Sequence, residues 1–165
     1  MNPTIKQMLN SVCVWIDSTA LSQTIQNTPW IVPAVQTVHI LAIAALMAAM
    51  LMINLRLVGM VGRDQRLAHV AGRYSPVIWW ALPVLLVSGI ILITGEPARA
   101  LKNNIFQIKM LLVISAIFVT LVFAVPLKKD PTHWDDRAGL GVLVALLSVS
   151  LWVAIIFAGR WIAYF

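Results

Sequence analysis

The segment Ile105–Leu127 reads IFQIKMLLVISAIFVTLVFAVPL and carries one charge, on Lys109, after which it runs uncharged from Met110 to Leu127. A helix needs about 20 apolar residues to cross the roughly 30 Å of hydrocarbon in a bilayer, and this segment supplies them. Three further stretches do the same: Trp30–Leu55, Tyr74–Gly95 and Ala138–Gly159. None of the four contains an aspartate or a glutamate. Backbone polar groups in lipid must be satisfied within each segment, so continuous apolar runs of this length read as helices and not as alternating strands. The expected fold is therefore all-α: an integral membrane four-helix bundle over residues 30–165, preceded by an N-terminal interfacial segment over residues 1–29.

The composition agrees. The chain is 61% hydrophobic and 11% charged, outside the range of soluble globular domains. Its first residues are polar and its first span begins too late for a cleaved signal, so the start is expected to be retained. Ile5, Met8, Leu9, Val12, Trp15 and Ile16 recur at helical spacing between Lys6, Asn10 and Asp17, the pattern of a short helix lying in the interface. Cys13 is the only cysteine, which excludes an internal disulfide, an iron–sulfur cluster or a thiolate metal site built from this chain alone.

The net charge of +6 is scattered over short loops and forms no continuous basic stripe, so nucleic acid is not an expected partner. It serves better as an orientation signal. Arg56, Arg63, Arg66 and Arg73 follow the first span, and Lys128, Lys129 and Arg137 follow the third, against Lys6, Arg99, Lys102 and Arg160 on the other side. The excess of basic residues places the first set in the cytoplasm and both termini in the periplasm of a bacterial inner membrane. Trp30, Trp161 and Tyr164 at one boundary, and Trp79, Trp80 and Trp134 at the other, read as interfacial anchors. Pro83 and Gly89 are sites for a kink or loosening of the second span, without implying a function.

A charge inside a span costs a few kcal/mol even on lenient scales and reads as functional. With both termini on one side, the first and third spans start at the same face, which places His39 and Lys109 in one leaflet. Arg160 ends the fourth span in that layer. A neutral imidazole is the commonest protein ligand to haem iron, and helical bundles hold such groups between facing helices. His39 is thus the candidate metal ligand, Lys109 a second ligand or propionate partner, and Arg160 a propionate donor. Ala42, Ala45, Leu46 and Ala49 form a mostly small face below His39, suited to close helix packing or to a flat macrocycle. His69 and His133 lie in or beside the two basic loops and read as solvated. No phosphate-binding glycine motif, zinc-type histidine pair or nucleophile motif is present, and whether the chain is an enzyme stays open.

Trp30-Ile31-Val32-Pro33, Val38-His39-Ile40-Leu41, Asn54-Leu55-Arg56-Leu57-Val58-Gly59, Asn104-Ile105-Phe106-Gln107-Ile108-Lys109, and the closing Ser148-Val149-Ser150-Leu151-Trp152 and Ala158-Gly159-Arg160-Trp161-Ile162-Ala163-Tyr164 together resemble a family of small bacterial four-helix membrane proteins of unassigned function. That family usually has an aspartate where Asn54 stands. More distantly, a histidine early in the first helix and a lysine early in the third are similar to the membrane protoporphyrinogen oxidase of haem synthesis, and the layout is similar to the copper-resistance D membrane domain. This resemblance implies haem b or another porphyrin near His39 and Lys109, with electron transfer or redox chemistry on a porphyrin or quinone. Two other readings stay open. One is copper or small-ion handling along His39, Lys109, Met47, Met50 and Met52. The other is a non-catalytic subunit that docks in a larger membrane complex or as a homo-oligomer.

Overall fold

The computed structural model describes residues 3–62, 64–130, 132–134 and 137–161. Arg63, Asp135 and Tyr164 lie outside them, as do the side chains of Ile5 and Lys6. The described residues form helices joined by short turns, with no strand, in the order α1 (Pro3–Asp17), α2 (Ala20–Asn27), α3 (Ile31–Leu57), α4 (Leu67–Gly95), α5 (Pro97–Leu101), α6 (Asn104–Lys129) and α7 (Ala138–Trp161). The four long helices, α3, α4, α6 and α7, are each long and apolar enough to cross a membrane. The protein is an all-α membrane four-helix bundle, as its sequence leads one to expect.

α3 ends where Gly59 takes a φ of 77°, the left-handed conformation that glycine adopts without the Cβ penalty other residues incur. α4 begins at Leu67, two turns before the apolar run starting at Tyr74, because nothing between Leu67 and Arg73 breaks a helix. His69 sits exposed in the first turn of α4, beside the loop as expected. One reading changes as a result. Trp79 and Trp80, exposed at 59% and 76%, stand about 18 Å along the helix axis and not at its end. Trp134 also departs from the anchor reading: it is buried, stacks on Phe123 at 5.7 Å and donates its Nε1–H to the Phe123 carbonyl at 3.1 Å.

The N-terminal segment folds as two helices where one was expected. Thr19 caps α2 by accepting the Ser22 N–H. Ser22, fully buried, donates its hydroxyl to the Thr94 carbonyl at 2.7 Å. Ile25 packs against Gly95, and the Cys13 thiol points at the Pro97 carbonyl at 3.6 Å. Met8, Val12 and Trp15 face away from the bundle. α1, α2 and α5 thus cover one end of the bundle, the capped end. A cavity of about 500 Å³ lies there, lined by residues including Cys13, Asp17, Gln26, Glu96 and Arg99, away from His39.

At the other end, Asp130 accepts from both the N–H and the hydroxyl of Thr132. These bonds, the backbone one foremost, hold its carboxyl below the usual aspartate range.

The core lies toward this second end. Trp152 of α7 belongs to one buried cluster with Ala49 of α3, Ala81 of α4 and Ala116 of α6, together with Leu46, Met50 and Ile53, so that large and small side chains combine in the core. Gly141 lets α7 approach α3, since a Cβ there would come within 2.9 Å of Leu57. Asn54 and Ser148, both buried, form a hydrogen bond of 3.4 Å between the same helices.

Candidate functional site

Each long helix directs one stripe into the core, and at the capped end these stripes finish in polar or side-chain-free positions. On α3 the stripe Ile53, Ala49, Leu46, Ala42 ends at His39; on α6 Ala116, Val113 lead to Lys109; on α7 Ser148, Trp152, Ile155 lead to Gly159; on α4 Ile78, Ala81, Leu85 lead to Ser88. The spacing of three and four residues keeps each set on one face.

Side-chain contacts fix the helix registers. His39 meets Ser88, and Val32 lies close to Gly95, which aligns α3 with α4. Asn54 with Ser148 and Leu57 with Gly141 align α3 with α7. Lys109 lies on Gly159, whose added Cβ would stand 3.5 Å from the lysine Nζ. Continued at 1.5 Å per residue, these registers bring Gly159, and with it the Lys109 ammonium, within about a turn of His39. Lys109 is near enough to act electrostatically on the imidazole. His39 and Lys109 therefore share one layer, as their positions in the sequence imply.

The hydrogen bonds of Ser88 decide the tautomer of His39. The serine Oγ lies 2.5 Å from the Val84 carbonyl oxygen, and two oxygens that close must share a proton. A hydroxyl has only one, so Ser88 donates to Val84 and accepts from His39, whose Nδ1 lies 2.7 Å away. His39 thus carries a proton on Nδ1, and in the neutral ring the lone pair is on Nε2. A metal-ligating histidine is commonly held in this way, with its second nitrogen donating to a fixed acceptor. Beside the imidazole, Gly89 presents no side chain; a Cβ there would contact His39 Cε1 at 3.8 Å.

Packing loosens around this layer. Among the described residues, nothing on α3 before Ala42, on α6 before Ala116 or on α7 after Ile155 is buried. His39 and Lys109 are half-buried at this end. The small face of α3 below them is filled: Ala42, Leu46 and Ala49 are packed into the core while Ala45 is exposed, which is the close-packing alternative. Arg160 is exposed at the end of α7, next to Gly159. His133 packs edge-on against Trp134, with ring centroids 5.1 Å apart, and no group of three or more His, Cys, Asp or Glu able to hold a metal occurs among the described residues. Met47 and Met50 pack in or against the core cluster.

Ser88 and Gly159 are the contacts of His39 and Lys109 that sequence reasoning missed. Both lie on the core stripe of their helix, yet serine and glycine are ordinary in membrane helices and neither announces its partner.

The fold and this layer define a class: a small multi-pass helical membrane protein with a polar, partly open layer near one end of its bundle. Residues 14–165 match the model of a family of unknown function, DUF6644, and the chain belongs to that family. No curated protein and no solved structure matches it, and the comparisons show no link to protoporphyrinogen oxidase or to the copper-resistance D domain.

Proposed function

We propose that the protein holds a b-type haem or related porphyrin between its long helices at the capped end, with His39 Nε2 as axial ligand, and serves electron transfer or membrane redox chemistry. The observation that carries this reading is the Ser88 hydroxyl spent on Val84, which fixes Nδ1 of His39 as the donor and so leaves Nε2 as the nitrogen on which a neutral ring would ligate a metal. The donor set fits the group. His39 offers a lone pair, Gly89 leaves the imidazole uncovered on that side, and Lys109 brings a cation into a layer whose spans contain no carboxylate. Its natural partner is an anionic oxygen such as a propionate, and Arg160 provides a second cation at the rim.

When bound, such a group supplies reversible one-electron chemistry. The chain's own part is to orient the imidazole through Ser88, to hold the Lys109 ammonium against Gly159, and to exclude water from below with the Trp152 core. The basic loops at the other end set the orientation of the reading: the layer faces the periplasmic leaflet of a bacterial inner membrane, with both termini on that side.

An absorption spectrum of the detergent-purified protein, oxidised and then dithionite-reduced, tests this directly. Soret and α bands of a b-type haem are expected, and His39→Ala should abolish them. Bands unchanged in His39→Ala would remove the ligand assignment. A protein colourless after expression with ample haem would turn attention to copper handling or to a subunit role.

A further inference from the structure

The four long helices form a ring that is not closed. α4 packs on α3, α3 on α7 and α7 on α6, while α6 and α4 scarcely touch although the short α5 joins them. This seam, where the two backbones stand furthest apart in the ring, lies between the two halves of the polar layer. His39 and Ser88 stand on the α3–α4 side, Lys109 and Gly159 on the α6–α7 side.

Three boundaries of the seam differ in kind. Toward the far end it is floored by the core, where Ala116 and Trp152 meet Leu46 and Ala81. At the capped end α5 bridges α4 and α6; α1 holds α5 through Cys13 on Pro97, and α2 holds the end of α4 through Ser22 on Thr94. Glu96 and Arg99, paired at 3.0 Å, add charge to that roof. The remaining side faces hydrocarbon, and the residues just below the layer there, Leu85 on α4 and Leu112 and Val113 on α6, are apolar, half-buried and packed against the core.

We infer that the α4–α6 seam is the entrance of the site, admitting from the side a ligand dissolved in the bilayer. The ligand has an apolar body that passes between α4 and α6 at the level of Leu85 and Val113, and a polar end that meets His39 and Lys109: a metal for the imidazole and an anionic oxygen for the ammonium. A porphyrin with its propionates meets both demands. The entrance rests on the reading of the His39–Lys109 layer as a ligand site, but its geometry can be tested without any ligand.

The test is spin-label accessibility in phosphatidylcholine vesicles. Single-cysteine proteins are made in a Cys13→Ala background with Val113→Cys on α6 and, as a second variant, Leu85→Cys on α4. Collision of the nitroxide with oxygen, which partitions into lipid, is compared with collision with a water-soluble nickel chelate. Leu111→Cys serves as the lipid-facing reference and Ala145→Cys as the buried one, their parent residues being 65% and 1% exposed. Oxygen collision close to the Leu111 value, with little from nickel, is expected at both seam positions. Oxygen collision as low as at Ala145 would show the seam closed, and nickel collision exceeding oxygen would show entry from water; either overturns the inference. The two readings fail separately. An accessible seam in a protein that takes up no haemin from haemin-containing vesicles removes the porphyrin alone, and haem bands in a protein with a closed seam remove the entrance alone.

Discussion

Lys109 and His39 declare themselves as residues because hydrocarbon is a poor solvent for either, whereas Ser88, which decides what His39 can do, does not. A serine within a helix often bonds back to the carbonyl four residues earlier, and Ser88 does so to Val84; only the register with α3 shows that its lone pairs also anchor an imidazole. Ser88→Ala should leave the Nδ1–H without an acceptor and release the tautomer. ¹⁵N NMR of His39 is expected to show the Nδ1–H form alone in the parent protein and in Ser88→Thr, and a mixture in Ser88→Ala; an unchanged spectrum would mean that the serine does not set the tautomer. Lys109 makes a different demand. It lies on Gly159 without an acidic residue in any span, so its charge costs stability that function must justify. Lys109→Leu is expected to stabilise the bundle against thermal unfolding in detergent by about 1 kcal/mol, less than the ~2.5–3.5 kcal/mol of a lysine at mid-membrane because the site is near a helix end and half-buried. The same variant should weaken ligand retention. A loss of stability would instead make Lys109 a structural residue.

Helices were legible at the level of elements because length and hydropathy alone decide what can span a bilayer, and α3, α6 and α7 lie close to where those rules put them. α2 and the first two turns of α4 were not legible, since their sequences are mixed and their stability comes from contacts such as Ser22 with Thr94. The tryptophans show the same divide. Interface statistics describe Trp30 and Trp161, both exposed near the capped end, but Trp134 and Trp152 are buried for opposite reasons. Trp134 ties the chain after α6 back to Phe123 through its N–H. Trp152 fills the core, and its Nε1 has no partner among the described residues. Replacing either by phenylalanine removes the same atoms, so comparing the two variants isolates the N–H. Trp134→Phe loses a made hydrogen bond, whereas Trp152→Phe relieves an unmade one. The first should be the more destabilising by roughly 1–3 kcal/mol in detergent unfolding. Equal losses would mean that Trp152 has a partner after all.

At the scale of the whole molecule the bundle is asymmetric along its axis, packed tightly at one end and loosened around a polar layer at the other, and that asymmetry has meaning only once its direction in the membrane is known. On the proposed function, a redox group near the capped end would exchange electrons with one aqueous compartment far more readily than with the other, so orientation would decide which partners are within reach. The charges provide the direction. Arg56, Arg66, Arg73, Lys128, Lys129 and Arg137 surround the far end, while Arg99, Lys102 and Arg160 belong to the capped end; basic residues in short loops stay on the cytoplasmic side during insertion. Single cysteines at Thr132 and at Lys102, each in a Cys13→Ala background, read this out in intact cells. A membrane-impermeant maleimide that passes the outer membrane should label Lys102→Cys before lysis and Thr132→Cys only after it. The reverse pattern would turn the bundle over, placing the His39–Lys109 layer in the cytoplasmic leaflet and its electron partners in the cytoplasm. Equal labelling of both sites before lysis would show a dual orientation, which the excess of basic residues at the far end is expected to prevent.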